Sequence, residues 1–288
     1  MKSGLDGKKV IFVGNSYVYY GQTVLNKPKS VLTQAERGHD RGYFYQLCRA
    51  CGSEVEVTNW TFGGHGLTDL FREPCQRPGS CEGIRHEAYL TDRAFDYAFI
   101  SPGGGVRSAE NIAEDFAYVI RFFREANPDV KIVCLGNLGA HGYSSFHIDL
   151  PDIYNYYRTL EEQGIIIADW GGIVNGIIEG VYAVPGAAQA YTAKSFIVKD
   201  GFHPNQLAGY ITSLTAYCAV TSESAVGKPY DFCGDGGVNP KFSFDAYREK
   251  YYNSPEESNY VDVFASPDDM LGIQRLVDWY LAERPYRN

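Results

Sequence analysis

The sequence predicts an α/β protein, a three-layer α/β/α sandwich built around a central five-stranded parallel sheet. Short apolar runs alternate with helical patterns over residues 1–220, which is typical of strand–helix–strand units. Glycine clusters follow the ends of several runs, where a chain turns tightly or approaches a ligand closely. Right-handed crossovers bring the carboxyl ends of all the strands to one edge of the sheet, here called the carboxyl edge.

Five runs are predicted strands because each is short, apolar and rich in β-branched or aromatic residues. They are Lys9 to Val13, Glu54 to Thr61, Tyr97 to Ser101, Lys131 to Leu135 and Ile165 to Ala168. Four segments between or after them have apolar residues spaced three and four apart, which predicts amphipathic helices. These helices are Tyr43 to Ala50, Ala109 to Glu125, Ile153 to Gln163 and Gln206 to Ala219.

A change in composition after residue 222 suggests a boundary. We assign residues 1–222 to the α/β/α domain and residues 223–288 to a C-terminal extension packed on it. The extension is polar and rich in glycine and tyrosine until Ser266-Pro267-Asp268-Asp269. A serine cap, a proline and two acids are typical of a helix start, so a terminal helix is predicted over residues 268–282.

Composition limits the partners and the location. The 288 residues are 44% hydrophobic and 21% charged, as in ordinary globular proteins, and the net charge of -9 disfavours nucleic acid as a partner. No apolar stretch is long enough to span a bilayer, and Met1-Lys2-Ser3-Gly4 leads into the first strand without an apolar signal region. We therefore expect a cytoplasmic protein, although an exported form whose signal has been removed stays open. The oligomeric state is not predicted.

The seven cysteines are expected to be reduced thiols, several of them buried. Cys75 and Cys81 flank a loop with proline and glycine, and a bridge between them stays open. Cys48 and Cys51 have the spacing of a redox or zinc pair, but no second pair follows at ligand spacing. The histidines other than His203 are expected in polar loops or at the surface: His39, His65, His86, His141 and His147. No metal and no cofactor are predicted.

Ser16 is the predicted nucleophile. The run Val10 to Val13 stops at Gly14-Asn15-Ser16, which places the serine at the carboxyl edge, where open α/β sheets hold their chemistry. A serine nucleophile needs a base, and the base needs an orienting group. In Asp200-Gly201-Phe202-His203-Pro204, the Asp200 carboxylate can curl back to Nδ1 of His203 and leave Nε2 to face Ser16. Pro204 is expected to be the first residue of the next helix. Each motif alone is also typical of a turn or a helix cap.

The third requirement is an oxyanion hole, a set of donors aimed at the charge that develops on the attacked carbonyl. The backbone amides of Ser16 and Gly64 are the predicted donors, with Gly66 as the alternative to Gly64. Both follow strand ends, and neither side-chain bulk nor proline blocks an approaching substrate. Asn15 and His65, on the same loops, are predicted to contact the substrate.

In their order along the chain, these motifs resemble those of the SGNH/GDSL hydrolase superfamily. Gly14-Asn15-Ser16 matches the nucleophile block with Asn in place of the middle Asp, Gly63-Gly64 after Asn59 matches the second block, and Asp200 to His203 matches the last. The resemblance covers about residues 8–222. It implies a flavodoxin-like α/β/α fold and a serine esterase with Ser16, His203 and Asp200 as its triad.

One block departs from the family pattern. After the third strand the family has G-x-N-D, whereas this chain has Gly103-Gly104-Gly105-Val106. Gly105 thus stands where the family has an asparagine donor, and it offers only a backbone amide to the oxyanion hole. The predicted substitute is a backbone amide of Gly103-Gly104-Gly105, Arg107 on the same loop, or Asn137 after the fourth strand. Arg107 and Asn137 are also predicted to contact the substrate.

We predict an ester hydrolase that works by acyl transfer on small or carbohydrate-linked acyl esters, such as acetyl esters. Tyr17, Tyr19, Tyr20 and Trp60 lie near the site in the sequence and would suit stacking on a sugar ring. One alternative is a catalytically weak protein of the same fold that binds a carbohydrate or another small ligand, motivated by Gly105. A nucleotide-binding protein is disfavoured because no phosphate-binding loop follows the first strand.

Overall fold

The structure is a computed structural model of the chain. It describes residues 4–24, 40–76, 82–102, 109–136, 150–198, 201, 203–230, 241–242, 263–264 and 266–287.

The centre of the fold is a five-stranded parallel sheet, as the sequence predicted. Its strand order is β2-β1-β3-β4-β5. The strands are β1 (Lys8–Gly14), β2 (Val55–Thr61), β3 (Tyr97–Ile100), β4 (Lys131–Leu135) and β5 (Ile166–Ala168). In β1, every residue from Val10 to Gly14 is buried, because helices cover both faces of the sheet. Phe12 illustrates this burial, since its ring stacks on Phe99 of the neighbouring strand at 4.6 Å. This environment explains the unbroken apolar run.

The described residues form nine α-helices. They are α1 (Ser16–Tyr19), α2 (Tyr43–Ala50), α3 (Leu67–Phe71), α4 (Ala109–Arg124), α5 (Leu150–Glu162), α6 (Trp170–Ile178), α7 (Ala193–Phe196), α8 (Gln206–Thr221) and α9 (Pro267–Glu283). Helices α2, α6 and α8 pack on one face of the sheet, with α9 against α8 and α6. Helices α3, α4 and α5 form the layer on the other face. Short 3-10 helices span His86–Tyr89 and Pro285–Arg287.

Helix α6 was missed by the sequence analysis because its glycines lower helix propensity. The structure shows why they are needed. A Cβ added at Gly172 would collide with Asp169 and the Tyr280 hydroxyl, and one at Gly176 would collide with the Tyr182 ring. Close packing of α6 therefore outweighs the local preference of the sequence.

The terminal helix α9 has the start that the sequence predicted. Ser266 is its N-cap, with a capping box to Asp269 and a proline at its beginning. The Asp269 carboxylate also accepts hydrogen bonds from Ala188 N at 2.9 Å and from Gln189 Nε2 at 3.2 Å. These bonds fasten the helix to the loop after α6. The division of the chain at residue 222 stays a prediction.

Two further short strands, β6 (Lys241–Phe242) and β7 (Val263–Phe264), pair in antiparallel fashion. Among the described residues, no helix combines the length and the apolar character that crossing a membrane requires.

Candidate active site

Ser16 lies at the carboxyl edge, immediately after β1. The close packing of β1 against β3 there depends on Gly14, since an added Cβ would lie 2.9 Å from Cβ of Ser101 and 3.0 Å from Cγ2 of Val18. Asn15 is the N-cap of α1 and Ser16 its first helical residue. The backbone N–H of a first helical residue has no acceptor inside its own helix.

Asn15 holds the serine segment from two directions. Its Oδ1 accepts a hydrogen bond from Tyr17 N at 3.1 Å, and its Nδ2 donates to the carbonyl of His65 at 2.9 Å. The side chain is buried and both ends of its amide are engaged. Its predicted contact with substrate stays a prediction, while these bonds tie the nucleophile segment to the loop after β2.

His203 lies on a narrow antiparallel turn before α8. Val198 N donates to the carbonyl of His203 at 3.0 Å, and Ile197 forms a bridge with Pro204. Asn205 then caps α8 by accepting from Leu207 N at 3.0 Å and Ala208 N at 3.2 Å. The prediction that Pro204 begins the helix is therefore wrong. Pro204 precedes the cap. The hydrogen bonds beside its bridge come from Val198 N to His203 O and from Asn205 N to Phe196 O, so Pro204 needs no N–H there, and Asn205 has the side-chain acceptor that a cap needs.

Ser16 and His203 meet although 187 positions separate them in the sequence. Nε2 of His203 lies 2.7 Å from Oγ of Ser16. The two residues are 8% and 9% exposed, so the pair is shielded yet reachable from solvent. The ring of Tyr20 stacks on the imidazole with 3.9 Å between centroids and 13° between planes. This contact fixes the plane of the imidazole next to the hydroxyl.

The loop after β2 brings Gly64 to the same edge. Phe62 N donates to the carbonyl of Gly14 at 3.0 Å, which joins this loop to the end of β1. Gly64 has a φ of 70°, a left-handed conformation that favours glycine. Gly66 N donates to the carboxylate of Asp69 at 3.1 Å, so this amide is already engaged. The oxyanion role of Gly64 stays a prediction, while the Gly66 amide, its alternative, points to Asp69 instead.

Several predicted site residues lie outside the described residues. They are Asp200, Gly105, Arg107 and Asn137, and the same holds for Cys81, His39, His141 and His147. Their predicted roles stay predictions.

His65 and His86 are buried, at 7% and 1% exposed, so the expectation of surface residues is wrong for both. His65 does lie in a loop, the one after β2, whereas His86 lies in a 3-10 helix. Nδ1 of His65 lies 2.9 Å from the carbonyl of Gly63, and its Nε2 lies 3.2 Å from Sγ of Cys75. The imidazole thus faces a buried cluster, and the part of His65 that touches Asn15 is its carbonyl. Sequence spacing gave no signal of this cluster, because loops between β2 and β3 bring its members together.

The cysteines divide into two groups. Cys75 is disulfide-bonded to a partner outside the described residues, so the expectation of a reduced thiol is wrong there. The thiols of Cys48, Cys51, Cys134 and Cys218 are free. Burial raises the pKa of the Cys48 and Cys134 thiols well above the usual value, which keeps them protonated and unreactive.

The aromatic residues near Ser16 are mostly core residues. Trp60 is fully buried and packs edge-on against Phe62 at 5.2 Å, so the suggestion that it stacks on a sugar is wrong. Tyr17 and Tyr19 are also buried. Tyr20 is half-buried, and one face of its ring is occupied by His203.

No family model matches the chain, and no curated protein matches it. Among solved structures, it is similar to a DUF4886 family protein from Bacteroides uniformis at 13% identity and a TM-score of 0.55, covering 96% of this chain and 95% of the other. At this identity the likeness concerns the fold alone.

Two further likenesses cover 76% of this chain. One is to an acetylxylan esterase from Geobacillus stearothermophilus, with 16% identity, 96% of its chain covered and a TM-score of 0.47. The other is to a protein from Slackia heliotrinireducens assigned to the SGNH hydrolases, with 16% identity, all of its chain covered and a TM-score of 0.45. SGNH hydrolases are thus among the structures that the chain resembles, as its motifs predicted. With TM-scores below 0.5, neither likeness bears on the reaction or the substrate.

Proposed function

We propose that this protein is a serine ester hydrolase of the SGNH/GDSL superfamily that works by acyl transfer. The observation that carries the proposal is the 2.7 Å contact between Oγ of Ser16 and Nε2 of His203 at the carboxyl edge of the sheet. A hydroxyl is a weak nucleophile at neutral pH, and an adjacent imidazole activates it by accepting its proton. Contact between a serine and a histidine so far apart in sequence is the arrangement that this chemistry needs.

In the proposed reaction, Oγ of Ser16 attacks the ester carbonyl while its proton passes to Nε2 of His203. His203 then gives this proton to the departing alcohol, which leaves an acyl group on Ser16. Water repeats the sequence and releases the acid. The stacked Tyr20 ring keeps the imidazole in place, and its π face stabilises the imidazolium that forms during both steps.

Asp200 is the proposed partner of His203 Nδ1. The support for this role is the D-x-x-H spacing and the orientation of His203, whose other nitrogen, Nε2, is turned towards Ser16. A carboxylate at Nδ1 would hold the imidazole in the tautomer that leaves Nε2 free to accept the Ser16 proton.

The proposed oxyanion donors are the backbone amides of Ser16 and Gly64, with the amide of Gly105 as the third. The first is supported by the position of Ser16 at the start of α1, and the second by the left-handed turn at Gly64. Losing one donor costs about 2.7–4 kcal/mol of transition-state stabilisation in a well-studied protease. The absence of an asparagine side chain at position 105 therefore predicts a slower enzyme than one with the full family pattern.

The test compares the hydrolysis of short-chain p-nitrophenyl esters by the wild type, Ser16→Ala and His203→Ala. Each substitution is expected to lower kcat/KM by more than about a thousandfold, because members of a catalytic triad act as a unit. Ser53→Ala is the matched control, since Ser53 is a buried serine just before β2, at the opposite edge of the sheet. Equal rates in the wild type and both site variants would refute the mechanism.

A fluorophosphonate probe gives an independent measurement. We expect mass spectrometry to find the probe on Ser16 in the wild type and no labelling in Ser16→Ala. Labelling of another serine would reassign the nucleophile. Asp200→Asn is expected to lower the labelling rate of Ser16 without changing its position.

We further propose that the substrates are small or carbohydrate-linked acetyl esters. The support is the low exposure of Ser16 and His203, which favours a small acyl group. The expected result is a fall in kcat/KM from acetyl to butyryl to octanoyl p-nitrophenyl esters, together with acetate release from acetylated xylo-oligosaccharides. A preference for the octanoyl ester would refute this assignment. Binding of the oligosaccharide that survives Ser16→Ala, with no turnover of any ester by the wild type, would favour a ligand-binding protein instead.

A further inference from the structure

Beside the candidate active site, three potential metal ligands converge in the interior. One ligand atom each from His65, Cys75 and His86 lies within 4.8 Å of the other two, and all three residues are buried. The centroids of the two imidazole rings are 5.2 Å apart. The ring of Phe62 packs edge-on against both, at 4.3 Å from His86 and 5.9 Å from His65, and forms an apolar wall. Two imidazoles and a sulfur are the donor types that zinc prefers.

The orientation of His65 is that of a metal ligand. Its Nδ1 lies 2.9 Å from the carbonyl of Gly63, and a carbonyl only accepts, so Nδ1 donates this hydrogen bond. In the neutral ring the lone pair is then on Nε2, which lies 3.2 Å from Sγ of Cys75. Metal-binding histidines nearly always donate their second nitrogen in this way, because the bond fixes both the tautomer and the ring.

Cys75 is held in place by its backbone. Its N–H donates to the carbonyl of Ile84 at 2.8 Å, and its carbonyl accepts from Gly83 N at 2.9 Å. These bonds bring the chain back towards His86, two residues beyond Ile84. The two backbone bonds thus position the sulfur in addition to the disulfide.

In the disulfide form, Sγ of Cys75 has neither a proton to donate to Nε2 of His65 nor a charge to offer a cation. A thiolate at the same position has the charge, and a zinc ion between them would bind both the thiolate and the Nε2 lone pair. We propose that His65, Cys75 and His86 form a zinc(II) site that becomes available when the disulfide at Cys75 is reduced. Three protein ligands with water in the fourth position are known from catalytic zinc sites.

The redox step uses a dithiol reductant. Two electrons and two protons pass from the dithiol to the protein, the S–S bond breaks, and two thiols form while the reductant closes its own disulfide. Zinc binding then replaces the proton of the Cys75 thiol, which is released to solvent. The predicted cytoplasmic location would supply such a reductant.

The proposed site is joined to the Ser16 segment through His65. The carbonyl of His65 accepts from Nδ2 of Asn15, and His65 directly follows Gly64. A metal ion on the imidazole would therefore brace the loop that supplies the proposed oxyanion donor. The zinc site itself does not depend on the proposed esterase activity.

The test titrates chelator-treated protein with Co²⁺ and then Zn²⁺ under argon, before and after reduction by a dithiol that is removed by gel filtration. Reduced wild type is expected to bind one ion per chain, with near-ultraviolet thiolate-to-cobalt absorption that zinc abolishes. Unreduced wild type is expected to show no such band. Reduced wild type that binds no more metal than the unreduced protein would overturn the proposal, and this comparison needs no variant.

Variants locate the site. Reduced Cys75→Ser and His86→Gln are expected to lose zinc affinity by about a hundredfold or more, since even residues that only orient a metal ligand contribute 10- to 100-fold. His86→Gln keeps the cysteine and serves if Cys75→Ser does not fold, as judged by circular dichroism. Cys51→Ser is the control and is expected to bind like the wild type. Unchanged binding by Cys75→Ser, or loss of binding by Cys51→Ser, would overturn the assignment.

Discussion

A close approach of two glycines holds the Ser16 and His203 segments together, and this gives a sharp prediction. Gly21 follows the short helix that begins at Ser16, and Gly209 lies in the first turn of α8, just after the His203 turn. A Cβ added at Gly21 would lie 2.7 Å from Gly209 Cα, 2.9 Å from Gly209 N and 3.0 Å from the carbonyl of Asn205. All three atoms belong to the backbone, so no side chain can rotate to make room. We predict that Gly21→Ala separates the two segments.

The size of the effect follows from these distances. Ordinary contact begins at 3.4 Å, so the 2.7 Å contact must widen by about 0.7 Å. If that shift reaches His203, its 2.7 Å hydrogen bond to Ser16 lengthens to about 3.4 Å, beyond the ordinary hydrogen-bonding range. A misplacement of this order is expected to lower kcat about 10- to 100-fold. The overpacking is expected to lower the free energy of unfolding by about 1–3 kcal/mol.

The assay measures p-nitrophenyl acetate hydrolysis and the rate of fluorophosphonate labelling at a temperature where the variant is fully folded. Urea unfolding gives the stability change separately. Gly4→Ala is the control, because a Cβ added at Gly4 meets no atom within 4 Å. Wild-type activity and stability in Gly21→Ala would show that the glycine contact does not set the Ser16–His203 distance.

Two other predictions concern Asp169 and Tyr20. Burial raises the pKa of Asp169 to about 6, although hydrogen bonds from Tyr280, Gly172 and Tyr157 oppose the rise. Between about pH 4 and pH 6 the folded state therefore keeps a proton on Asp169 that the unfolded state has already released. As the pH rises through this window, the free energy of unfolding of the wild type should fall by about 3 kcal/mol relative to that of Asp169→Asn. Urea unfolding of both proteins at each pH measures this difference, and a constant or rising difference would contradict it. Tyr20→Leu should lower kcat about two- to tenfold by removing the ring stacked on His203, whereas Tyr20→Phe should keep it within about twofold. Equal losses in the two variants, in the same ester assay, would contradict a role for the stacked ring.

The strands and the edge that holds the site were predictable because their signals are local. The run from Val10 to Val13 is short, apolar at every position and rich in β-branched and aromatic residues, which is typical of a strand covered on both faces. Its abrupt end marks the carboxyl edge. The residues Ser16 and His203 could also be selected, since each lies in a short motif with a chemical meaning. The rule that parallel strands end at one edge places Ser16 at that edge. His203 follows helix α7 and not a strand, so only its D-x-x-H motif pointed to the contact with Ser16.

The features that the sequence did not predict depend on contacts between distant segments. Helix α6 forms against its own glycine content because Gly172 and Gly176 allow close packing with Tyr280 and Tyr182. Burial of His65 and His86 depends on loops that fold over the same edge, and no spacing in the sequence announces it. His65 is followed by a glycine and His86 by a glutamate, and both patterns are more typical of exposed positions than of a buried cluster.

Asn15 shows how one side chain links these local and distant features. Its carbonyl oxygen accepts from Tyr17 N within the nucleophile segment, and its amide nitrogen donates to the carbonyl of His65 in the loop that contains Gly64. An aspartate at this position could keep the first bond but could not donate the second, and it would place a negative charge against a carbonyl oxygen. The asparagine at position 15, where the superfamily's nucleophile block has an aspartate, therefore fits the hydrogen bond that this chain makes to its loop after β2. That loop supplies both a proposed oxyanion donor, Gly64, and a proposed zinc ligand, His65. The hydrogen bond from Asn15 Nδ2 to the carbonyl of His65 therefore connects the Ser16 segment to both proposed sites.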